Sequence, residues 1–326
     1  MDVVYLEKAD PESLRILREG LPSPVRIAVI AREDAERRPE RARGVEVLIA
    51  GLVPRRFLEA ADRLHTLVIP YAGVPRRTRS LLADFPALRV LNSHFNADDA
   101  AEHAWALLLA AAKRVVASDA LLRRADWSAR YGEPSRSLNG GTLLVVGYGA
   151  IGRRVARYAR AFGMRVLAVN RSGGSDPGVD RLEPVERLDD LLPEADAVVV
   201  ALPDTPRTER IFSGDSLARM KRGALLVNVG RGSAVDETAL YAALEEGRLG
   251  AAGIDTWWRY PTSRDEARTT PPSGRPFHRL PNVVMTPHRA SHVEERERKR
   301  MRSLNEILRA IAAGKPPRPV DRKEWY

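Results

Sequence analysis

The chain has 326 residues, 44% of them hydrophobic, and a formal charge of +10 from 53 basic against 43 acidic residues, which suits two ordinary α/β-sized domains and no low-complexity class. It has no cysteine, which excludes disulfides, thiolate catalysis and thiolate-held metal, and no metal ligand set is assigned. No apolar run approaches the ~18 residues of a membrane span, and no basic-then-apolar leader opens the chain, so a cytoplasmic protein without membrane contact is expected.

The arginines run along the whole chain and mostly stand beside acids, as in Glu294–Glu295–Arg296–Glu297–Arg298. This reads as a solvated surface, with no nucleic-acid partner expected. Such a surface can still favour anionic substrates or a phosphorylated cofactor.

In chain order, β-branched runs at Val25–Ile30, Val45–Ala50, Thr66–Pro70 and Arg89–Leu91 read as strands. Amphipathic stretches at Pro54–Ala61 and Thr78–Phe85 read as helices between them, which implies a parallel sheet covered by helices. Asp98–Leu122, rich in Ala and Leu, reads as one long helix, and Tyr131–Gly140 as a linker. A second series follows, with strands at Thr142–Val146, Arg165–Val169, Ala197–Ala201, Leu225–Val229, Ala251–Ile254 and Val283–Thr286. Ser291–Ala313 reads as a charged amphipathic helix, stopped by Gly314 and the prolines after it.

Between the strand Thr142–Val146 and a helix over Arg153–Phe162 lies G-Y-G-A-I-G, that is Gly147, Tyr148, Gly149, Ala150, Ile151 and Gly152. This is Gly-x-Gly-x-x-Gly in the strand–turn–helix setting of a dinucleotide site. The first glycine permits the turn, the second lets a pyrophosphate approach, and the third lets the helix pack on the strand. An NAD site would end the next strand in an acid that grips the ribose 2′-hydroxyl. Here Asn170, Arg171 and Ser172 stand there, a set that can hydrogen-bond a 2′-phosphate, so NADP is the expected cofactor, with NAD possible. The alternative for Arg171 is a surface arginine stacked on adenine.

Three more segments carry a resemblance: Leu202–Phe212 (L-P-D-T-P-R-T-E-R-I-F), Met220–Glu237 and Leu280–His292 (L-P-N-V-V-M-T-P-H-R-A-S-H). With G-Y-G-A-I-G and the run Asn96–Ala104 they resemble the D-isomer-specific 2-hydroxyacid dehydrogenase family, from about Leu67 onward. The residues read chemically beside it. Arg231 follows a buried strand, where a guanidinium can hold a carboxylate bidentately. His288 follows another strand end and can pass the substrate proton. Both match the family's catalytic Arg and His. The resemblance further implies cofactor contacts at Leu202, Pro203, Thr208, Val229 and Asp255, the last at the nicotinamide end. It implies substrate-carboxylate contacts at Ala72 and Gly73, within Tyr71–Val74, although Pro75, Arg76, Arg77 and Thr78 replace the acids usual after that loop. Asn96 matches a substrate contact of the formate dehydrogenase branch, or is a helix N-cap.

The stretch G-I-D-T-W-W-R-Y-P, Gly253–Pro261, departs from the family pattern. The glutamate that normally pairs with the catalytic histidine falls on Tyr260. Three readings stay open: the Tyr260 hydroxyl pairs with His288, Asp265 or Glu266 swings in, or the ring only packs with Trp257 and Trp258. A neutral partner would leave the imidazole less basic than a carboxylate would. Trp257, Trp258 and Tyr260 suggest a site with an apolar wall and open the option of a larger or aromatic 2-oxo acid.

The resemblance implies two flavodoxin- or Rossmann-like α/β domains, each a parallel sheet flanked by helices, with the active site in the cleft between them. Residues 1–97 and 291–326 would form the substrate domain and 98–290 the dinucleotide-binding domain. The expected function is interconversion of a small 2-oxo acid and its D-2-hydroxy acid, with NADPH preferred, by a homodimer built on the Ala-rich helix. The alternatives are a formate- or phosphite-type dehydrogenase and a cofactor-sensing corepressor-like protein. Retention of Arg231 and His288 argues for chemistry.

Overall fold

The computed structural model describes residues 1–323 and 325, and among them the strands form two sheets, of five and of seven strands. Every strand pairing is parallel. The chain divides into two compact units, Met1–Asn96 with Val293–Tyr326, and Ala97–His292. No helix among the described residues is long and apolar enough to cross a membrane.

The first unit runs β1 (Asp2–Tyr5), α1 (Pro11–Arg18), β2 (Arg26–Val29), α2 (Arg32–Arg37), β3 (Val47–Ile49), α3 (Arg55–Ala60), β4 (Thr66–Ile69), α4 (Arg76–Leu82) and β5 (Arg89–Asn92). Its strand order is β2-β1-β3-β4-β5, the flavodoxin order. β1, α1 and α2 lie outside the sequence reading, yet β1 is the strand at which the order reverses. Successive β1 side chains serve opposite faces. Val3 and Tyr5 pack with Met301, Leu304 and Leu308 of the C-terminal helix, while Val4 and Leu6 pack with Leu48, Leu67 and Ile69. Each such buried aliphatic side chain contributes about 1.5–3 kcal/mol. The C-terminal helix spans Arg296–Ala312, starting later than the expected Ser291, and Gly314 at φ +69° ends it.

The second unit contains α5 (Ala97–Ala112), α6 (Val115–Leu122), β6 (Thr142–Val146), α7 (Ala150–Ala161), β7 (Arg165–Asn170), β8 (Arg181–Pro184), α8 (Leu188–Leu191), β9 (Ala197–Val200), α9 (Gly214–Arg219), β10 (Leu225–Asn228), α10 (Glu237–Glu245), β11 (Ala251–Ile254) and β12 (Val283–Met285). The order β12-β11-β10-β9-β6-β7-β8 is doubly wound and reverses between β6 and β9. The carboxyl ends of the strands at such a reversal form a ligand crevice.

The expected single helix over Asp98–Leu122 is two helices. The Ala112 carbonyl accepts the N–H of Arg136 at 2.9 Å from a distant segment, and Arg114 turns left-handed at φ 54°. A long-range bond thus takes a carbonyl that would have continued the helix. α6 then runs with no buried residue.

Candidate active site

β6 leads into the glycine turn. Gly147 takes φ +102°, and a Cβ there would lie 2.7 Å from the Ala201 carbonyl oxygen. A Cβ at Gly152 would lie 2.3 Å from the Gly147 carbonyl oxygen, so α7 can sit on the turn only with glycine at this place. α7 starts at Gly149 with no side-chain cap, which leaves the first-turn amides of Ala150, Ile151 and Gly152 to a ligand.

Tyr148, expected to contact the cofactor, has its ring turned inward. Its ring is buried behind the turn, its N–H donates to the Val169 carbonyl at 2.9 Å, and its hydroxyl donates to Asp176 at 2.9 Å. The Arg153 guanidinium lies 4.6 Å above the ring and pairs with the same carboxylate. Tyr148 therefore shapes the cradle from behind.

At the end of β7 the Asn170 side-chain oxygen accepts the N–H groups of Ser172 (2.9 Å) and Gly173 (2.7 Å). This local turn uses the oxygen and leaves the two amide hydrogens as the group's remaining offer. Arg171 and Ser172 are exposed on the same turn. Beyond β9, Leu202 is buried against Gly230, where a Cβ would come within 2.6 Å of the Leu202 backbone. The Thr208 hydroxyl donates to the Pro203 carbonyl at 2.7 Å and accepts the Thr205 N–H at 3.0 Å, closing the loop between them. Val229 is buried, its N–H bonded to the Val200 carbonyl at 3.1 Å.

Arg231 follows β10. Asn228, buried at the strand end, donates its side-chain amide to the Arg231 carbonyl at 2.9 Å and accepts the Gly230 N–H at 3.0 Å. A Cβ at Gly232 would lie 2.3 Å from the Trp257 carbonyl oxygen, so this loop passes hard against the residues after β11. The Arg231 guanidinium is half-buried and donates to the Gly230 carbonyl at 2.7 Å.

Asp255 follows β11 and is fully buried. Its carboxylate accepts the Thr286 hydroxyl (2.6 Å) and the N–H groups of Arg289 (2.9 Å) and Ala290 (3.0 Å), and its carbonyl accepts the His288 N–H (2.8 Å). These bonds span a residue in an unfavourable conformation. His288 has φ +52°, a left-handed backbone that costs about 1–2 kcal/mol in a residue with a Cβ. Asp255 was expected to contact the cofactor. Its carboxylate is engaged by its own chain and holds the His288 segment in place. Burial pushes its carboxyl up, but His103, the Thr286 hydroxyl and the two backbone N–H groups outweigh this and hold it below the usual range.

The Tyr260 hydroxyl does not pair with His288. It accepts the Trp257 N–H at 3.1 Å, because the turn after Asp255 brings that donor to it, and its ring stands edge-on to the imidazole at 5.5 Å. Glu266 accepts the N–H and hydroxyl of Thr262 and is committed locally. Among the described residues no carboxylate hydrogen-bonds the imidazole. His288 is open to solvent on one side, yet the atoms around it lower its pKa below 6.5 by burial first and by the Arg231 charge second, with Asp255 opposing. Trp257 and Trp258 do not form a wall. Trp257 is buried and donates to the Thr286 carbonyl at 2.8 Å, and Trp258 stacks on Phe277 and donates to the Val235 carbonyl at 2.9 Å.

In the other unit, Ala72 and Gly73 follow β4. The Ala72 carbonyl accepts the Asn92 side-chain amide at 2.6 Å, and the Val74 carbonyl accepts Arg79 at 2.7 Å, so the loop is tied at two points. Asn96 is half-buried just before α5. The residues that sequence reasoning missed are Asn228, Thr286, Asn92 and His103. Three of them are polar residues at or just past the carboxyl end of an apolar strand, and that placement was a readable signal.

A family model for the NAD binding domain of the D-isomer specific 2-hydroxyacid dehydrogenases matches residues 105–290. A glyoxylate reductase of Aeropyrum pernix is 38% identical over 230 residues, covering 68% of this chain and 66% of that protein. A glycerate dehydrogenase of Methylorubrum extorquens is 30% identical over 293 residues, covering 86% of this chain and 87% of that one. The solved structure of a D-isomer specific 2-hydroxyacid dehydrogenase from Xanthobacter autotrophicus, in complex with NADPH and MES, superposes with a TM-score of 0.78 at 28% identity, over 100% of this chain and 99% of that one. The cradle, the doubly wound sheet and the run of matching residues through Arg231 and His288 make this chain a member of the D-isomer-specific 2-hydroxyacid dehydrogenase family.

Proposed function

We propose that the chain reduces a small 2-oxo acid to its D-2-hydroxy acid by hydride transfer from a nicotinamide dinucleotide, NADPH in preference to NADH. The observation that carries this reading is the bonding around Asp255. A fully buried carboxylate holds the strained His288 in one place, and the Arg231 charge is felt at the imidazole. A fixed cation and a proton-transfer group in one site are what carbonyl reduction beside a carboxylate requires.

The glycine turn fits the pyrophosphate, since glycine at 147 and 152 lets strand, turn and α7 approach closely where a Cβ would strike backbone carbonyl oxygens, and the helix start is uncapped. Bound there, the cofactor supplies the hydride. Asn170 offers only donors from its side chain, with Arg171 and Ser172 alongside, which suits a 2′-phosphate and gives no carboxylate to repel it. Arg231 holds the substrate carboxylate and polarises the carbonyl. His288 delivers its proton to the carbonyl oxygen and takes it back in the reverse direction. Residues 98–290 serve as the dinucleotide-binding domain. Residues 1–97 and 291–326 serve as the substrate domain, where Ala72 and Gly73 offer backbone N–H groups to the carboxylate. The names of the relatives, a glyoxylate reductase and a glycerate dehydrogenase, support a small acid. With both tryptophans hydrogen-bonded inward, only Tyr260 of the three aromatics stands exposed beside His288, which gives less support to an aromatic acid.

The reading includes a homodimer. On α6 and the segment after it Val115 (52%), Val116 (50%), Leu122 (51%), Trp127 (63%) and Tyr131 (83%) stand exposed, an apolar surface suited to a second copy. Sedimentation at micromolar concentration is expected to show a dimer, and a monomer would remove this part.

The test of the function is oxidation of NADPH and of NADH against glyoxylate, hydroxypyruvate, pyruvate, 2-oxoisovalerate and phenylpyruvate. Turnover is expected with the small acids, faster with NADPH and lost in His288→Ala. Tight cofactor binding without turnover on any acid would overturn the reading in favour of a cofactor sensor.

A further inference from the structure

The group that completes the Asp255 network comes from a distant helix. α5 packs on β11 at Gly253, where a Cβ would lie 2.9 Å from the Leu107 Cβ. Glycine there lets the helix sit directly on the strand, two positions before Asp255. His103, one turn ahead of Leu107 on the same helix, is thereby brought to the strand end. Its Nε2 lies 3.0 Å from the Thr286 hydroxyl and 3.5 Å from the Asp255 carboxylate. The Thr286 hydroxyl donates its one proton to Asp255, so toward His103 it can only accept. The imidazole of His103 must then carry a proton on Nε2 and donate it.

We propose that His103 is a positioning residue for His288, acting through Thr286. Its N–H fixes the Thr286 hydroxyl, which fixes the Asp255 carboxylate, which holds the Arg289 and Ala290 amides and with them the left-handed turn at His288. The chain runs from the middle of α5 to the proton-transfer residue without touching substrate or cofactor. The proposal rests on the reading of His288 as the proton-transfer group. Its structural half stands apart from turnover.

The experiment compares His103→Leu, which keeps bulk and loses the donor, His103→Gln, which keeps an N–H, and Thr286→Val, which removes the hydroxyl. Amide hydrogen exchange over residues 286–290 is followed alongside kcat, KM and cofactor Kd. In His103→Leu the amides of His288, Arg289 and Ala290 are expected to exchange roughly tenfold faster and kcat to fall by a similar factor, the size of one lost hydrogen bond. Exchange in β6, KM and cofactor Kd should stay within about twofold. Thr286→Val, which also removes the donor to Asp255, should lose at least as much, the double variant should be no worse than Thr286→Val alone, and His103→Gln should recover most of the His103→Leu loss. Unchanged exchange and kcat in His103→Leu, or additive losses in the double variant, would overturn the proposal. If the wild-type protein turns over no 2-oxo acid, the proposed function fails, and exchange over 286–290 still decides whether His103 holds the segment.

Discussion

In the phosphate cradle the geometry is set by neighbours in sequence, with the glycines 147, 149 and 152 between one strand and the helix that follows it. At the proton-transfer end the geometry is assembled from α5, the end of β10, the turn after β11 and the segment after β12. The cradle works by close approach, since a Cβ at Gly147 or Gly152 would collide with a backbone carbonyl oxygen. The other end works by filling room, with both oxygens of a buried carboxylate engaged to hold one strained histidine. The difference teaches that binding and chemistry can fail separately in this molecule. Substitutions in the cradle should act on cofactor affinity, and those around Asp255 on the rate at saturation.

The largest effect expected is that of His288→Ala. It removes the proposed proton donor and should lower kcat by about a hundredfold to ten-thousandfold, while cofactor affinity by fluorescence titration stays unchanged. A weakened cofactor would blur the separation. Gly152→Ala forces the cradle open from a 2.3 Å clash and should raise the cofactor Kd more than about tenfold with kcat at saturation nearly intact. Asp255→Asn puts an amide where two backbone donors need acceptors. Leaving a buried donor unpaired costs about 1–3 kcal/mol, so a lowered thermal midpoint and a lower kcat are expected together. Stability without loss of rate would show that His288 holds its place unaided. Asn170→Asp keeps the oxygen that closes the local turn and adds a charge, so the NADPH-to-NADH ratio of kcat/KM should fall by about tenfold. The smallest effect belongs to Tyr260→Phe. Its hydroxyl serves the Trp257 N–H and not the imidazole, so rate and pH profile should hold within about twofold. Tyr260→Glu, by contrast, should move the pH profile upward by placing a carboxylate beside His288.

The same contrast explains what could be read from the amino-acid sequence. The cradle, its strand and its helix are encoded within a short span, and the strands of the second unit other than β8 were readable from their β-branched runs to within a residue or so. Arg231 and His288 stand out in the sequence because each follows an apolar strand, and their roles rest on the proposed function. The hydrogen bonds of Asp255 and Tyr260 were not legible, because they depend on which donors arrive from elsewhere. The Trp257 N–H reaches the Tyr260 hydroxyl, and the amides of Arg289 and Ala290 reach the Asp255 carboxylate. The break between α5 and α6 was hidden for the same reason, since its cause is the Arg136 amide. β1 was missed as a four-residue run at the chain start, too short for its period to register. β8, with every residue half-buried, carries no apolar pattern at all.

The measurement that tests the account most directly is the pH dependence of kcat/KM for reduction of glyoxylate by NADPH. In the proposed mechanism, reduction needs His288 protonated. Its pKa is lowered below 6.5 and has no carboxylate partner to restore it. The account therefore predicts turnover that declines as pH rises through a point below 6.5, and that is lost in His288→Ala. A rate independent of pH between about 5 and 8, or no turnover on glyoxylate or any other 2-oxo acid, would contradict it.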